Sequence, residues 1–298
     1  MKLKEVITEI YHRAGLWLIN AIAKSGPYRV VRDVPYGDSV RQRMDQYLLP
    51  DHELRPTVVF FYGGNWRSGH KEDYRFVADT LLAAGCNVII PDYRLYPWVR
   101  FGEIRDDAVA ALKLACDLRP ADQPLYLLGH SAGAHLGALV TLDRSLLPEQ
   151  YRSRLSGFIG LAGPYDYFPF TEDDHWDLFA PEEMYPESRV INFVHADAPP
   201  MYLLHGADDT RVRRGHSKSL MEKQLAVGGV ARREVYPGLG HVEIILAFSR
   251  VHRTRSAVIR HITDFLQSER HSNSAQNEST EHQATQDNKN LKEISHGT

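Results

Sequence analysis

Cysteine is nearly absent from this chain. Cys86 and Cys116 are the only two in 298 residues. They form no CxxC pair, which excludes a disulfide framework and a thiolate metal site. Each reads as a small buried hydrophobe. No apolar run reaches 18 residues, so no spanning helix is expected. Neither sign of charge dominates. The 35 basic and 38 acidic residues give a formal charge of −3, whereas a nucleic-acid binder carries a basic excess on one domain. No phosphate loop, dinucleotide fingerprint or zinc spacing occurs, and neither metal nor cofactor is expected. What remains is an ordinary soluble composition, 43% hydrophobic and 24% charged, in a length that suits one large domain.

The two ends differ from the middle. Residues 1–24 read as an N-terminal amphipathic helix. Leu3, Ile7, Ile10, Ala14, Trp17 and Ala21 fall on one face at alternating spacings of four and three. Glu5 and the missing uninterrupted apolar core argue against a secretory leader, so a cytoplasmic location is the expectation. Leu16-Trp-Leu-Ile is apolar nearly all round. Residues 3–22 should dock on the domain; peripheral membrane contact is the alternative. Residues 268–298 hold only Ala275, Ala284, Leu291 and Ile294 as aliphatics and no aromatic. That is too little apolar surface to offset ordering entropy, and a disordered tail is expected.

Between these ends, residues 25–267 alternate strand and helix signals. Residues 28–34 and 43–49 alternate as an antiparallel pair. Thr57-Val-Val-Phe-Phe-Tyr is a continuous apolar run, as in a strand buried on both faces. Helix 71–84 ends at Gly85. Strand 87–90, helix 103–117, strand 125–128, helix 132–143, strand 157–161, strand 201–204, helix 215–227, strand 232–236 and a last helix 242–267 follow. This order predicts an α/β fold with a mostly parallel sheet covered on both sides. Reactive groups in such sheets gather beyond the carboxyl ends of the strands. One connection, about 162–200, is long and rich in aromatics (Tyr165, Tyr167, Phe168, Phe170, Trp176, Phe179, Tyr185), and reads as a lid that also packs on itself.

Gly129-His-Ser-Ala-Gly133 is a G-x-S-x-G sequence between a strand and a helix. That context suits a nucleophile elbow, which makes Ser131 the candidate nucleophile. His241 follows the last strand in a glycine-rich loop and is the candidate base. His70 and His175 lack a strand end and read as surface or lid residues, His205 as a turn-shaper, and His130 as packed beside the serine. The acid is Asp209 by the spacing H-G-x-x-D-x-x-V, with Asp208 as the alternative. The order Ser, Asp, His is the one this architecture uses. Gly63 and Gly64, possibly Asn65, and the N–H of Ala132 would supply an oxyanion hole. Asp106 and Asp107 read as favouring a helix N-terminus. Arg211, Arg213, Arg214, His216 and Lys218 read as a solvated basic face.

The segments YGGNW, PDYRL (91–95), GHSAGAH (129–135), HGADD (205–209) and PGLGH (237–241) resemble the α/β-hydrolase superfamily. More narrowly, they are similar to the esterases grouped with hormone-sensitive lipase, kynurenine formamidase and feruloyl-esterase-like domains. The resemblance spans about residues 28–266. It implies a Ser-His-Asp hydrolase acting on a small ester without metal, with a cap over the pocket. It also has Trp66 and Tyr93 line or brace the pocket, and with His130 beside the serine these are the substrate-binding candidates. Tyr62 stands where those families carry histidine before Gly-Gly, which changes the support of the oxyanion segment. The expectation is a carboxylic-ester hydrolase. An arylformamidase-like amide hydrolase is the alternative within the same chemistry, and a non-catalytic binding protein on the same fold is the alternative outside it.

Overall fold

A computed structural model describes residues 15–16, 18–21, 26–251 and 257–267. The chain divides into two compact units, Met1–Ile259 and Arg260–Thr298. The first unit holds an eight-stranded sheet. Its strands are β1 (Arg29–Pro35), β2 (Arg43–Leu48), β3 (Thr57–Phe61), β4 (Asn87–Pro91), β5 (Leu125–His130), β6 (Leu155–Leu161), β7 (Met201–Gly206) and β8 (Ala231–Tyr236), in the order β1-β2-β4-β3-β5-β6-β7-β8. β2 runs antiparallel to both of its neighbours, and the pairs from β4 through β8 are parallel. This is the predicted α/β architecture, with the two antiparallel strands at one edge.

The apolar runs explain the centre. Val58, Val59, Phe60 and Phe61 are fully buried although successive side chains face opposite sides, so both faces of β3 are covered. Each such side chain contributes about 1.5–3 kcal/mol on burial. The edge strands instead carry charge, Arg32 and Asp33 on β1 and Arg232, Arg233 and Glu234 on β8, which discourages pairing with another sheet.

The helices are α1 (Arg75–Ala83), α2 (Phe101–Asp117), α3 (Ala132–Leu142), α4 (Glu149–Arg152), α5 (Asp173–Leu178), α6 (Gly215–Ala226) and α7 (Glu243–Leu246). α3 is buried all along its length and packs on β3, β5 and β6. α1 ends before Gly85, whose φ of +85° suits glycine.

Two expectations change. The last helix is not continuous over 242–267: α7 stops at Leu246, and residues 258–267 form a separate helical stretch. The break has a cause in the contacts at 248–250. Thr80 donates its hydroxyl hydrogen to the Phe248 carbonyl, and Arg250 pairs with Asp79, which turns the chain toward α1. Asp107 does not serve the N-terminus of α2. It lies two turns in, buried, and holds Arg94 at 2.7 Å and the Gln42 amide at 2.8 Å. His175, read as a surface or lid residue, lies in α5 within the 162–200 connection and is fully buried there.

Among the described residues of the first helix, 15–16 and 18–21 are helical. Asn20 accepts the Phe76 N–H at 3.0 Å and donates to the Asp73 carbonyl at 2.7 Å, so it satisfies the start of α1. The rest of that helix and the expected disordered tail, 268–298, lie outside the described residues. Cys86 and Cys116 are buried and not disulfide-bonded. Among the described residues, no helix is long and apolar enough to cross a membrane.

Candidate active site

Ser131 sits between β5 and α3 at φ +55°, ψ −122°, a left-handed backbone that non-glycine residues rarely adopt. Close approach fixes its neighbours as glycine. A Cβ on Gly129 would lie 2.4 Å from the Gly133 carbonyl oxygen, and one on Gly133 would lie 2.0 Å from that of Phe61. The Ser131 N–H donates to the Leu161 carbonyl at 2.9 Å, which ties the turn to β6.

Three strand ends bring the expected side chains together. Ser131 Oγ lies 2.8 Å from His241 Nε2, and His241 Nδ1 lies 2.8 Å from Asp209 Oδ2. Asp209, not Asp208, meets the imidazole; Asp208 is exposed. Asp209 Oδ1 accepts the N–H groups of Arg211 and Val212, each at 2.9 Å. Burial would raise its pKa, but the hydrogen bonds from His205 and His241, with the His241 charge, outweigh burial and hold it well below the carboxylate range. Asp209 is therefore an anion that can stabilise an imidazolium.

The backbone of His241 is fixed as well. His130 Nε2 donates to the His241 carbonyl at 2.9 Å. Burial first, and then the nearby His241 charge, pull the His130 imidazole down to about 3. His130 thus stays neutral beside a residue that must become cationic.

The loop after β3 supplies the other half. Gly63 packs against the serine, where a Cβ would lie 3.0 Å from Ser131 Cβ. Gly64 has φ +136°, and a Cβ there would meet the Ser68 carbonyl oxygen at 2.1 Å. Asn65 and Trp66 follow at φ +52° and +57°. Ala132 opens α3, where an N–H lacks an intrahelical partner. Gly63, Gly64 and Ala132 all border the cavity that contains Ser131 and His241.

Tyr62 braces this loop by a route open to tyrosine. Its hydroxyl donates to Asp92 Oδ1 at 2.6 Å and accepts from Arg41 at 2.9 Å. Its ring stacks between Tyr74 and Tyr93, with centroids at 5.2 and 4.8 Å. Tyr93 in turn donates to the Tyr62 carbonyl at 2.8 Å. Tyr93 is fully buried and does not border the cavity, so it supports the loop and touches no substrate space. Trp66 and His130 do border it.

The cavity is about 970 Å³, roomy for a small ligand. Leu16, Tyr74, Leu95, Val212, Ile245 and Leu246 give it an apolar wall.

Sequence reading missed two features. His205 does more than shape a turn: its Nε2 donates to the Val212 carbonyl at 2.8 Å and reaches Asp209 Oδ2 at 3.2 Å. The H-G-x-x-D spacing held that signal. Glu172 and His175 of the long connection also grip Asn65 in the loop after β3. No spacing could have revealed that, because the partners lie more than 100 residues apart.

Known proteins share the fold and parts of the sequence. The chain is 29% identical over 246 residues to an isoprenylcysteine alpha-carbonyl methylesterase of Arabidopsis thaliana, over 73% of this chain and 58% of that one. It is 30% identical over 149 residues to a kynurenine formamidase of Danio rerio, 47% of this chain and 48% of the other. The chain thus spans less than two thirds of the length of these curated relatives. Among solved structures, esterase B of Lactobacillus rhamnosis aligns over 93% of this chain and 96% of its own, with a TM-score of 0.75 at 20% identity. An esterase of Pyrobaculum calidifontis aligns over 90% and 94%, with a TM-score of 0.73 at 20% identity. These likenesses establish the α/β-hydrolase fold. The sequence model of the BD-FAE family matches residues 44–224, more than half of the chain, and the chain belongs to that family.

Proposed function

We propose that this chain is a carboxylic-ester hydrolase working through an acyl-enzyme. The observation that carries the reading is the unbroken Ser131–His241–Asp209 line, 2.8 Å at each step. Ser131 Oγ attacks the ester carbonyl carbon while His241 Nε2 takes its proton. The oxygen becomes an anion facing the N–H groups of Gly63, Gly64 and Ala132, each such donor being worth about 3 kcal/mol in the transition state. The C–O bond then breaks, and the alcohol leaves with the proton from His241. Water repeats the sequence on the acyl-Ser131 ester, releases the carboxylic acid and restores the serine.

The apolar wall favours a small, uncharged, moderately apolar ester. The similarity to a methylesterase supports an ester, and the similarity to a formamidase keeps an N-formyl anilide as the second substrate to compare. The docked Asn20 favours residues 15–16 and 18–21 as part of the domain over a membrane-surface role.

The test is nitrophenyl ester hydrolysis by the purified protein and by Ser131→Ala. We expect turnover and its loss. Equal rates would overturn the assignment.

A further inference from the structure

The amides offered to the oxyanion sit in an unusual backbone. Gly64, Asn65 and Trp66 follow one another at φ +136°, +52° and +57°. Asn65 and Trp66 carry side chains there, at a conformational cost that the surroundings must offset. Whatever holds these residues also sets where the Gly64 N–H points.

The Asn65 side chain is held by the lid. Its Nδ2 donates to Glu172 Oε2 at 3.2 Å, and its Oδ1 lies 3.0 Å from His175 Nε2. A carboxylate only accepts, so Glu172 fixes which end of the amide is nitrogen. Asn65 Oδ1 must then accept, and His175 Nε2 must carry the hydrogen. The other ring nitrogen, Nδ1, lies 2.6 Å from the Tyr167 hydroxyl and accepts from it. Every donor meets an acceptor: Tyr167 O–H to His175, His175 N–H to Asn65. Burial keeps the His175 pKa below its ordinary value, which favours this neutral tautomer. The Trp66 ring packs edge-on against the same imidazole, with centroids 5.8 Å apart.

His175 touches neither Ser131, His241 nor Asp209 in any hydrogen bond described above, and the cavity is bordered by Asn65, Tyr167 and Glu172 rather than by His175. Its hydrogen bond to the loop after β3 is made to Asn65. We propose that His175 is a positioning residue for the oxyanion loop, acting through the Asn65 amide. The inference rests on the hydrolase reading above. It gives the lid a role besides covering the pocket: part of the lid is the outer support of the oxyanion hole.

The experiment uses the full chain and a nitrophenyl ester. His175→Asn places its amide where Nδ1 was and withdraws the donor from Asn65, whereas His175→Gln can return an N–H to the Nε2 position. We expect kcat to fall about 10- to 100-fold in H175N, the scale of a modest misplacement of reacting groups, with KM within about twofold. H175Q should recover most of the loss. The acid limb of the pH profile should not move. Asn65→Ala should show a similar loss, and the double variant N65A/H175N should be no worse than the poorer single, since both remove one interaction. Should H175N fail to fold, N65A carries the test, because it leaves His175 and the lid interior in place. Losses that multiply in the double variant, a change in KM alone, or wild-type kcat in H175N or in N65A would overturn the inference. An inert wild type would overturn the hydrolase reading and the inference with it. An active wild type with an indifferent H175N would overturn the inference alone.

Discussion

His205 and His241 converge on a single oxygen, Asp209 Oδ2, at 3.2 and 2.8 Å. One imidazole faces the serine and the other is fully buried behind the carboxylate. Because His205 Nε2 also faces the Val212 carbonyl, which only accepts, that nitrogen carries a hydrogen. Asp209 is thus steered from both sides. His205→Leu should lower kcat about tenfold or more, consistent with about 1.5–3 kcal/mol for a hydrogen bond to a charged group. Steady-state kinetics with a thermal melt beside them would check this, and an unchanged kcat would remove His205 from the account.

The Tyr62 hydroxyl can be tested without disturbing the ring stack. Tyr62→Phe leaves the aromatic faces on Tyr74 and Tyr93 but takes one donor from Asp92 and one acceptor from Arg41. The expected cost is about 1–3 kcal/mol in stability, together with a lower kcat from a looser oxyanion loop. Urea unfolding and nitrophenyl ester turnover measure the two separately.

Stability should depend on pH through two buried histidines. Burial pulls His130 down to about 3 and His135 to about 4, from an ordinary value of 6.5. Above pH 6.5 both are neutral folded or unfolded, and their full stability is present. As the pH falls below 6.5 the unfolded chain takes up protons that the folded protein refuses, so stability declines until the folded values are reached. At pH 5 each histidine costs about 2 kcal/mol. Melting temperatures should be level from pH 8 to 7 and drop toward pH 5. His135→Gln, which can still donate to the Ser188 carbonyl, should soften the drop; an identical pH profile in that variant would refute the attribution.

Leu16 belongs to the cavity wall although it comes from the far N-terminal end of the sequence. Leu16→Trp should reduce space at that wall. Turnover of long-chain nitrophenyl esters should fall several-fold while acetate and butyrate esters keep their rates. A uniform change across chain lengths would place Leu16 away from the bound acyl group.

Legibility in the sequence followed the range of the forces involved. The strands β3 to β7 were plain because both faces are buried and the apolar runs are continuous. The meeting of Ser131, Asp209 and His241 was legible because each follows a strand, and close backbone contacts demand the glycines at 129, 133 and 206. The end of α7 was not, because the chain turns where Thr80 and Asp79 engage Phe248 and Arg250, partners about 170 residues away. Whether Tyr93 lines the pocket or braces it was not legible for a similar reason. Its neighbourhood was right, but only the packing shows that its ring lies behind the loop.

The left-handed conformation at Ser131 also settles which other nucleophile this backbone could present. A β-branched side chain is strongly disfavoured at φ +55°. Threonine has the same hydroxyl chemistry, yet the strand-to-helix corner would have to unwind to accept it. Cysteine and aspartate, unbranched at Cβ like serine, are the substitutes it could accept, so the corner selects among nucleophiles by shape before reactivity is ever tested.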